Sequence, residues 1–193
     1  MTVGLLVLAA GRSIRFGSDK RLALLNDGRA LLHTTLSSAV SSDLPVRVCL
    51  PDKDDELAEQ FLGLGVERII PCPRSDRGMG FSLADGVSRC HDWEGLLVVL
   101  GDMPFVMRET YLSLANALTK NAICVPFYEE ISGNPVAFGS NFFSSLEKLD
   151  NDLGARKIVQ SNEQAVIEIP TFDKGILIDI DAPDDLFSSD FSH

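Results

Sequence analysis

No stretch of the 193-residue chain approaches the roughly twenty consecutive apolar residues that span a bilayer. The opening residues, MTVGLLVLAAG, lack the basic leader of a secretory signal and read as a core strand. Histidine is scarce: of His33, His91 and His193, one is terminal, so an imidazole-rich metal centre is not expected. The four cysteines, Cys49, Cys72, Cys90 and Cys124, are widely spaced without a C-x-x-C pair. That spacing argues against a zinc knuckle or a disulfide framework and leaves each as a small core residue or an ordinary thiol. Positive charge is also in short supply, 17 Lys and Arg against 28 Asp and Glu for a formal net charge of −11. Most of the surface should therefore repel nucleic acid and anionic lipid, and a polyanionic ligand would need a local basic pocket. With no internal repeat, low-complexity tract or linker, one domain over residues 1–193 is expected, in the cytoplasm.

What the chain has in quantity is short apolar runs. They recur at 3–9, 46–50, 66–70, 95–100, 122–127, 134–138, 165–169 and 175–180, most of them continuous, as in strands covered on both faces. Helical spacing lies between them: Leu32, Leu36, Ala39 and Val40 share a face, as do Leu83 and Val87, and Tyr111, Leu114, Ala115 and Leu118. Strand followed by helix predicts an α/β fold with a mostly parallel mixed sheet in three layers, whose ligands gather at the carboxyl ends of strands.

The first such end, LAAGRSIRFGSDKRL (8–22), combines Gly11 and Gly17 with Arg12, Arg15, Lys20 and Arg21. Its spacing matches neither Walker A nor the dinucleotide fingerprint. The physics is shared nonetheless: glycines permit close backbone approach, and Arg12, Arg15 and Lys20 offer charge-assisted hydrogen bonds to phosphate. A solvated basic loop is the alternative. In LLVVLGDMPFV, Asp102 follows a buried strand and suits either a Mg²⁺ ligand or a helix N-cap. In GILIDIDAPDDL, alternation along a strand would direct Asp179 and Asp181 to one side, while Asp184 and Asp185 begin a closing helix. DRGMGFSLADGV places Gly78 and Gly80 before a helix starting near Phe81 or Ser82, a loop chemistry common for purely structural reasons. By itself Asp152 reads more readily as a helix cap than as a ligand.

These segments together resemble a known family. LAAGRSIRFGSDKRL is similar to the L-A-[AG]-G-x-S-x-R-[MF]-G-x-x-K signature of the nucleotidyltransferases related to the molybdenum cofactor guanylyl- and cytidylyltransferases. GDMP and DIDAPDD are similar to its G-D-[MQ]-P and D-I-[DN]-T-P-E-D motifs, and GMGFSLADGV to its G-M-[AGS]-x-S-L-x-x-G-[VIL] segment. GNPVAF and DNDLGAR are similar to G-[HN]-P-V-x-F and G-D-x-G-A-R, with Asn151 where the second usually has glycine.

The resemblance implies a Rossmann-like, nucleotide-diphospho-sugar transferase fold and a Mg²⁺-dependent nucleotidyltransferase. It would place the nucleotide on Leu8, Ala9, Ala10, Gly11, Arg12, Ser13 and Lys20, with Gly78, Met79, Gly80 and Ser82 beside the base and Asp102 at the phosphates. Lys20, Arg12 and Asp102 would be the catalytic groups, and Asp102 with Asp181 or Asp179 the Mg²⁺ ligands. Gly133, Asn134, Asp152 and Arg156 would lie near the acceptor phosphate. Ala10 in the first loop, the Gly78-Met79-Gly80 segment, and aspartates at both 179 and 181 favour CTP over GTP, with molybdopterin as acceptor and a molybdoenzyme or its chaperone as the downstream partner. A guanylyl- or cytidylyltransferase acting on another phosphorylated small molecule, and a non-catalytic nucleotide- or cofactor-binding protein, are the alternatives.

Overall fold

Side chains alternate across a strand, so a continuous apolar run must be covered on both sides, and the computed structural model shows both layers. It describes residues 1–11, 16–52, 54–150, 152 and 154–187. Leu5 and Val7 of β1 (Val3–Leu8) face one core with Leu97 and Val99 of β4 (Gly95–Leu100). Helices α1 (Leu31–Ser41), α2 (Asp55–Gly63) and α4 (Arg108–Ala117) cover that face. Leu6, Leu96 and Val98 face the opposite core, covered by α3 (Met79–Val87), α5 (Phe143–Leu146) and α6 (Arg156–Ser161).

The remaining strands are β2 (Val46–Pro51), β3 (Arg68–Cys72), β5 (Ile123–Tyr128), β6 (Ile131–Ser132), β7 (Val136–Gly139) and β8 (Val166–Pro170). The eight-stranded sheet runs β3-β2-β1-β4-β7-β5-β6, with β8 also paired to β5. Pairs β1–β2, β2–β3, β1–β4 and β5–β8 are parallel, and β7 and β6 run antiparallel to their neighbours. The chain builds outward through β2 and β3 and then returns to the other side of β1 as β4. That reversal opens a crevice where β1 and β4 end together, Leu8 opposite Leu100.

Three sequence expectations change. The apolar run 175–180 is not a strand: Lys174–Leu177 is a 3-10 turn whose first N–H groups are drawn to Asp173, and Ile176 and Ile180 are buried without joining the sheet. Apolar patterning does not mark α2, on which only Leu57 and Phe61 are buried. α3 begins at Met79, earlier than the expected Phe81 or Ser82. All four cysteines are buried and free. No helix among the described residues is long and apolar enough to cross a membrane.

Candidate active site

Four chain segments meet at the crevice. The loop after β1 leaves the sheet at Ala9 and comes back as a 3-10 turn, Lys20–Leu22, whose first residue reaches into the site. From β4, Gly101 follows closely on the end of β1: its N–H donates to the Leu8 carbonyl at 3.0 Å, and a Cβ there would stand 3.1 Å from that of Ala9. This close approach delivers Asp102 beside the first loop. The closing segment is pinned by Ile180, whose N–H donates to the Asp102 carbonyl at 3.0 Å. A small apolar cluster of Phe16, Leu25, Leu31, Ile180 and Leu186 binds that segment to the first loop.

The result is a shared polar centre. Lys20 Nζ donates to Asp102 Oδ2 at 2.8 Å and to Asp181 Oδ1 at 3.1 Å. Burial opposes the charge on Lys20, but Asp102 and Asp181 outweigh it and hold the ammonium above its ordinary pKa. Partial burial, then repulsion from Asp181 and Asp102, raises the Asp179 carboxyl above the usual range, and Lys20 draws it down only as a minor influence. Asp185 Oδ2 accepts from the N–H groups of Asp181 and Ala182 at 2.8 and 2.7 Å, fixing the backbone under Asp181. Asp184 and Asp185 thus begin a 3-10 turn, Pro183–Phe187.

A cavity of about 410 Å³ surrounds this centre. Of the residues expected to hold the nucleotide, Leu8, Ala9, Ala10, Gly11, Lys20, Gly78, Met79, Ser82 and Asp102 line it, and so does Asp181. Gly80 is buried and is not among the lining residues. Arg12, Ser13 and Arg15 lie outside the described residues. Gly78 turns the chain into α3 with φ of 131°, a conformation that side chains resist. A Cβ on Gly11 would meet nothing within 4 Å among the described residues.

The residues expected near the acceptor divide into two groups. Gly154 faces the cavity rim: a Cβ there would stand 3.0 Å from Met79 Sδ, so the loop before α6, with Arg156 at its end and Asp152 exposed, meets the residue that lines the cavity. Asn151 lies outside the described residues. Gly133 and Asn134 do not line the cavity and pack instead on the closing segment, the Asn134 N–H donating to the Ile176 carbonyl at 2.9 Å. Sequence reasoning missed Arg21, Ser75 and Asp76, which line this cavity and a second one of about 690 Å³ beside Gly17 and Pro51. Arg21 is one of the loop cations, and its guanidinium is held by Asp19 and Asp54. Ser75 and Asp76 stand just ahead of Gly78, the one signal that could have found them.

Asp102 Oδ1 is buried without a hydrogen-bond donor among the described residues. An undonated carboxylate oxygen on a residue that lines the cavity, with Asp181 lining it too, fits a hard divalent cation that takes one or two protein oxygens and completes its shell from water and substrate phosphate. Among the described residues no group of three or more His, Cys, Asp or Glu side chains gathers to hold a metal by itself.

Comparison with known proteins matches this architecture. The chain is 28% identical to the purine catabolism protein PucB of Bacillus subtilis over 191 residues, 92% of this chain and 91% of that protein. It is 29% identical over 148 residues to a protein of Thermococcus gammatolerans described as a probable molybdenum cofactor guanylyltransferase, covering 74% of this chain and 72% of that one. Among solved structures, Rv0371c of Mycobacterium tuberculosis superposes with a TM-score of 0.80 at 27% identity over 96% of this chain and 95% of its own. A second structure of that protein, in complex with manganese, gives a TM-score of 0.73 at 25% identity over 89% of each chain. The profile of the MobA-like NTP transferase domain spans residues 5–166, and the chain belongs to that nucleotidyltransferase family.

Proposed function

We propose that the chain transfers CMP from CTP to the terminal phosphate of molybdopterin and releases pyrophosphate. The observation that carries the reading is the convergence of Lys20, Asp102 and Asp181 in a cavity bordered by the glycine loop and by Gly78 and Met79. A phosphate oxygen of the acceptor attacks the α-phosphorus in line, and the bond to the bridging oxygen of the β-phosphate breaks. The acceptor phosphate is already anionic at neutral pH, so no general base is needed. The work left to the protein is positioning and charge stabilisation.

Lys20, with Arg12, takes up the negative charge of the departing pyrophosphate. Asp102 and Asp181 would hold the divalent cation, Mg²⁺ in this reading, with Asp179 adding negative charge nearby. Bound there, the cation supplies charge neutralisation at the phosphates. Gly133, Asn134, Asp152 and Arg156 would serve the acceptor side, and the product would pass to a molybdoenzyme or its chaperone in the cytoplasm.

A second reading, GTP in place of CTP, is favoured by the guanylyltransferase relative and by Asp76 in the cavity wall, since a carboxylate accepts but does not donate and guanine offers two adjacent N–H donors. Thermal shift with Mg²⁺ and each triphosphate separates the two: the true substrate at about a hundred times its Kd adds roughly 2.7 kcal/mol. Pyrophosphate release with molybdopterin, set against sugar and polyol phosphates, tests the acceptor. Release with another phosphate ester alone would reject molybdopterin, and stabilisation by GTP alone would reject CTP.

A further inference from the structure

We infer that Asp173 is a positioning residue for the Asp102 and Asp181 carboxylates and so sets the affinity of the site for a divalent cation, an inference that rests on the reading of that pair as the cation's protein ligands. Asp173 is only 3% exposed. Buried carboxylates are normally paired with a cation, yet among the described residues this one is held by neutral donors. Its Oδ2 accepts from the Met107 N–H at 2.7 Å and from Thr110 Oγ1 at 2.6 Å, and its Oδ1 accepts from the Gly175 N–H at 2.8 Å.

The two oxygens thereby join two segments that the site needs in register. Met107 caps α4 at the end of the connection from β4, which also carries Asp102, and Thr110 lies in the first turn of that helix. Gly175 opens the closing segment that ends at Asp181. A helix start requires acceptors for its free N–H groups, but a short neutral side chain from the same loop meets that need. A buried charge supplied from the other segment, and bonded to both, couples their positions as a simple cap does not.

Packing along the closing segment carries that coupling to the site. A Cβ on Gly175 would stand 2.1 Å from the Phe105 carbonyl oxygen, and one on Gly133 would stand 2.4 Å from that of Ile176. The backbone is thus pressed against the β4–α4 connection on one side and the β6–β7 turn on the other. Four residues beyond Ile176, the Ile180 N–H reaches the Asp102 carbonyl at 3.0 Å, and Asp181 follows. With Asp173 released, the segment keeps the Ile180 and Asp185 bonds beside the site but loses its anchor at the end remote from Lys20, which loosens the spacing between the Asp102 and Asp181 oxygens.

The test is a titration of the full chain with Mn²⁺ alone, followed by the free-ion electron paramagnetic resonance signal. Groups that hold metal ligands in place are typically worth 10- to 100-fold in affinity, so Asp173→Asn should raise the Mn²⁺ Kd by about tenfold or more, and Thr110→Val by a smaller factor in the same direction. The Mg²⁺ concentration for half-maximal pyrophosphate release should rise by a similar factor while KM for the nucleotide moves little. Arg47→Met, which weakens the fold at the far end of β2, controls for general destabilisation and should leave the Mn²⁺ Kd unchanged. A folded Asp173→Asn chain whose Mn²⁺ Kd stays within about twofold of wild type would overturn the proposal, and if that variant does not fold, an unchanged Kd in Thr110→Val would do so. A wild-type chain that takes up no Mn²⁺ would instead overturn the reading of the carboxylate pair itself, and the proposal with it.

Discussion

Lys20 Nζ donates to Asp102 Oδ2 at 2.8 Å although 82 residues separate them in the chain. The contact exists because β1 and β4 are parallel neighbours that end together, so the loop leaving one strand lies against the loop leaving the other. A cation held against two carboxylates is poised to follow a triphosphate, whose charge exceeds theirs. The same ammonium offsets part of the repulsion among Asp102, Asp179 and Asp181, although Asp179 stays above the usual carboxylate range.

Replacing Lys20 by Met should therefore act on turnover far more than on the fold. If Lys20 stabilises charge as a preorganised donor does, pyrophosphate release should slow by a factor on the order of 10² to 10³, or about 2.7–4 kcal/mol in barrier. Steady-state kinetics beside a circular-dichroism melt measure both quantities. A kcat equal to wild type in the folded variant would remove Lys20 from the chemistry.

Arg47 is the opposite case, a charge in the core with a structural duty. Only 1% exposed, it binds Asp92 through both terminal nitrogens, at 2.7 and 2.6 Å, and Glu67 at 3.0 Å, donates to the Arg89 carbonyl, and lies 4.2 Å above the Trp93 ring. Asp92 and Glu67 are half-exposed and regain water when the cation is lost, so no buried anion is stranded. Arg47→Met should accordingly lower unfolding stability by about 1–3 kcal/mol in urea, with nucleotidyl transfer unchanged below the melting transition.

The same pair sets a pH dependence with a definite sign. The hydrogen bond from Arg47 pulls the Asp92 carboxyl from an ordinary 3.8 down to about 2. A carboxylate depressed in the fold contributes stability that is present above its unfolded pKa and is lost as pH falls through the folded one. The stability gap between wild type and Asp92→Asn should therefore be full at pH 5 and above and should close between about pH 4 and pH 2. Chemical denaturation of both chains across that range measures it, and a gap that does not vary with pH would refute the assignment.

Which parts of this were legible in the sequence follows from what each part depends on. The glycine loop and Asp102 could be read because each directly follows a continuous apolar strand, so their placement is set by local order and by the rule that ligands collect at strand ends. Their meeting with Asp181 could not be derived the same way. The run GILIDI has the composition of a buried strand, yet Ile176 and Ile180 are buried by packing against neighbouring loops, and Asp173 captures the Gly175 N–H that a sheet neighbour would otherwise need. Asp173 itself gives no local signal, since its partners Met107 and Thr110 are more than 60 residues distant in the chain. Arg47 interrupts the apolar run 46–50 with no local sign of its burial, which depends on Asp92 and Trp93 from the turn before β4. Ser75 and Asp76 show how a cavity recruits side chains with no motif spacing of their own.

Gly78 offers a test that separates backbone shape from side-chain chemistry at the cavity wall. Its φ of 131° and ψ of 169° lie in a region that only glycine occupies without strain, and from it the chain turns directly into α3, bringing Met79 and Ser82 to the cavity. Alanine at this position must either hold that strained conformation, at about 1–3 kcal/mol, or rotate the first turn of α3 away. In the first case stability falls and nucleotide affinity is kept. In the second the strain is relieved by moving Met79, whose sulfur already lies close to Gly154, so affinity falls while stability is largely retained. Gly78→Ala should show one loss or the other, and a denaturation curve together with a nucleotide titration tells which. A variant that matches wild type in both would mean that the turn into α3 carries no constraint on the site.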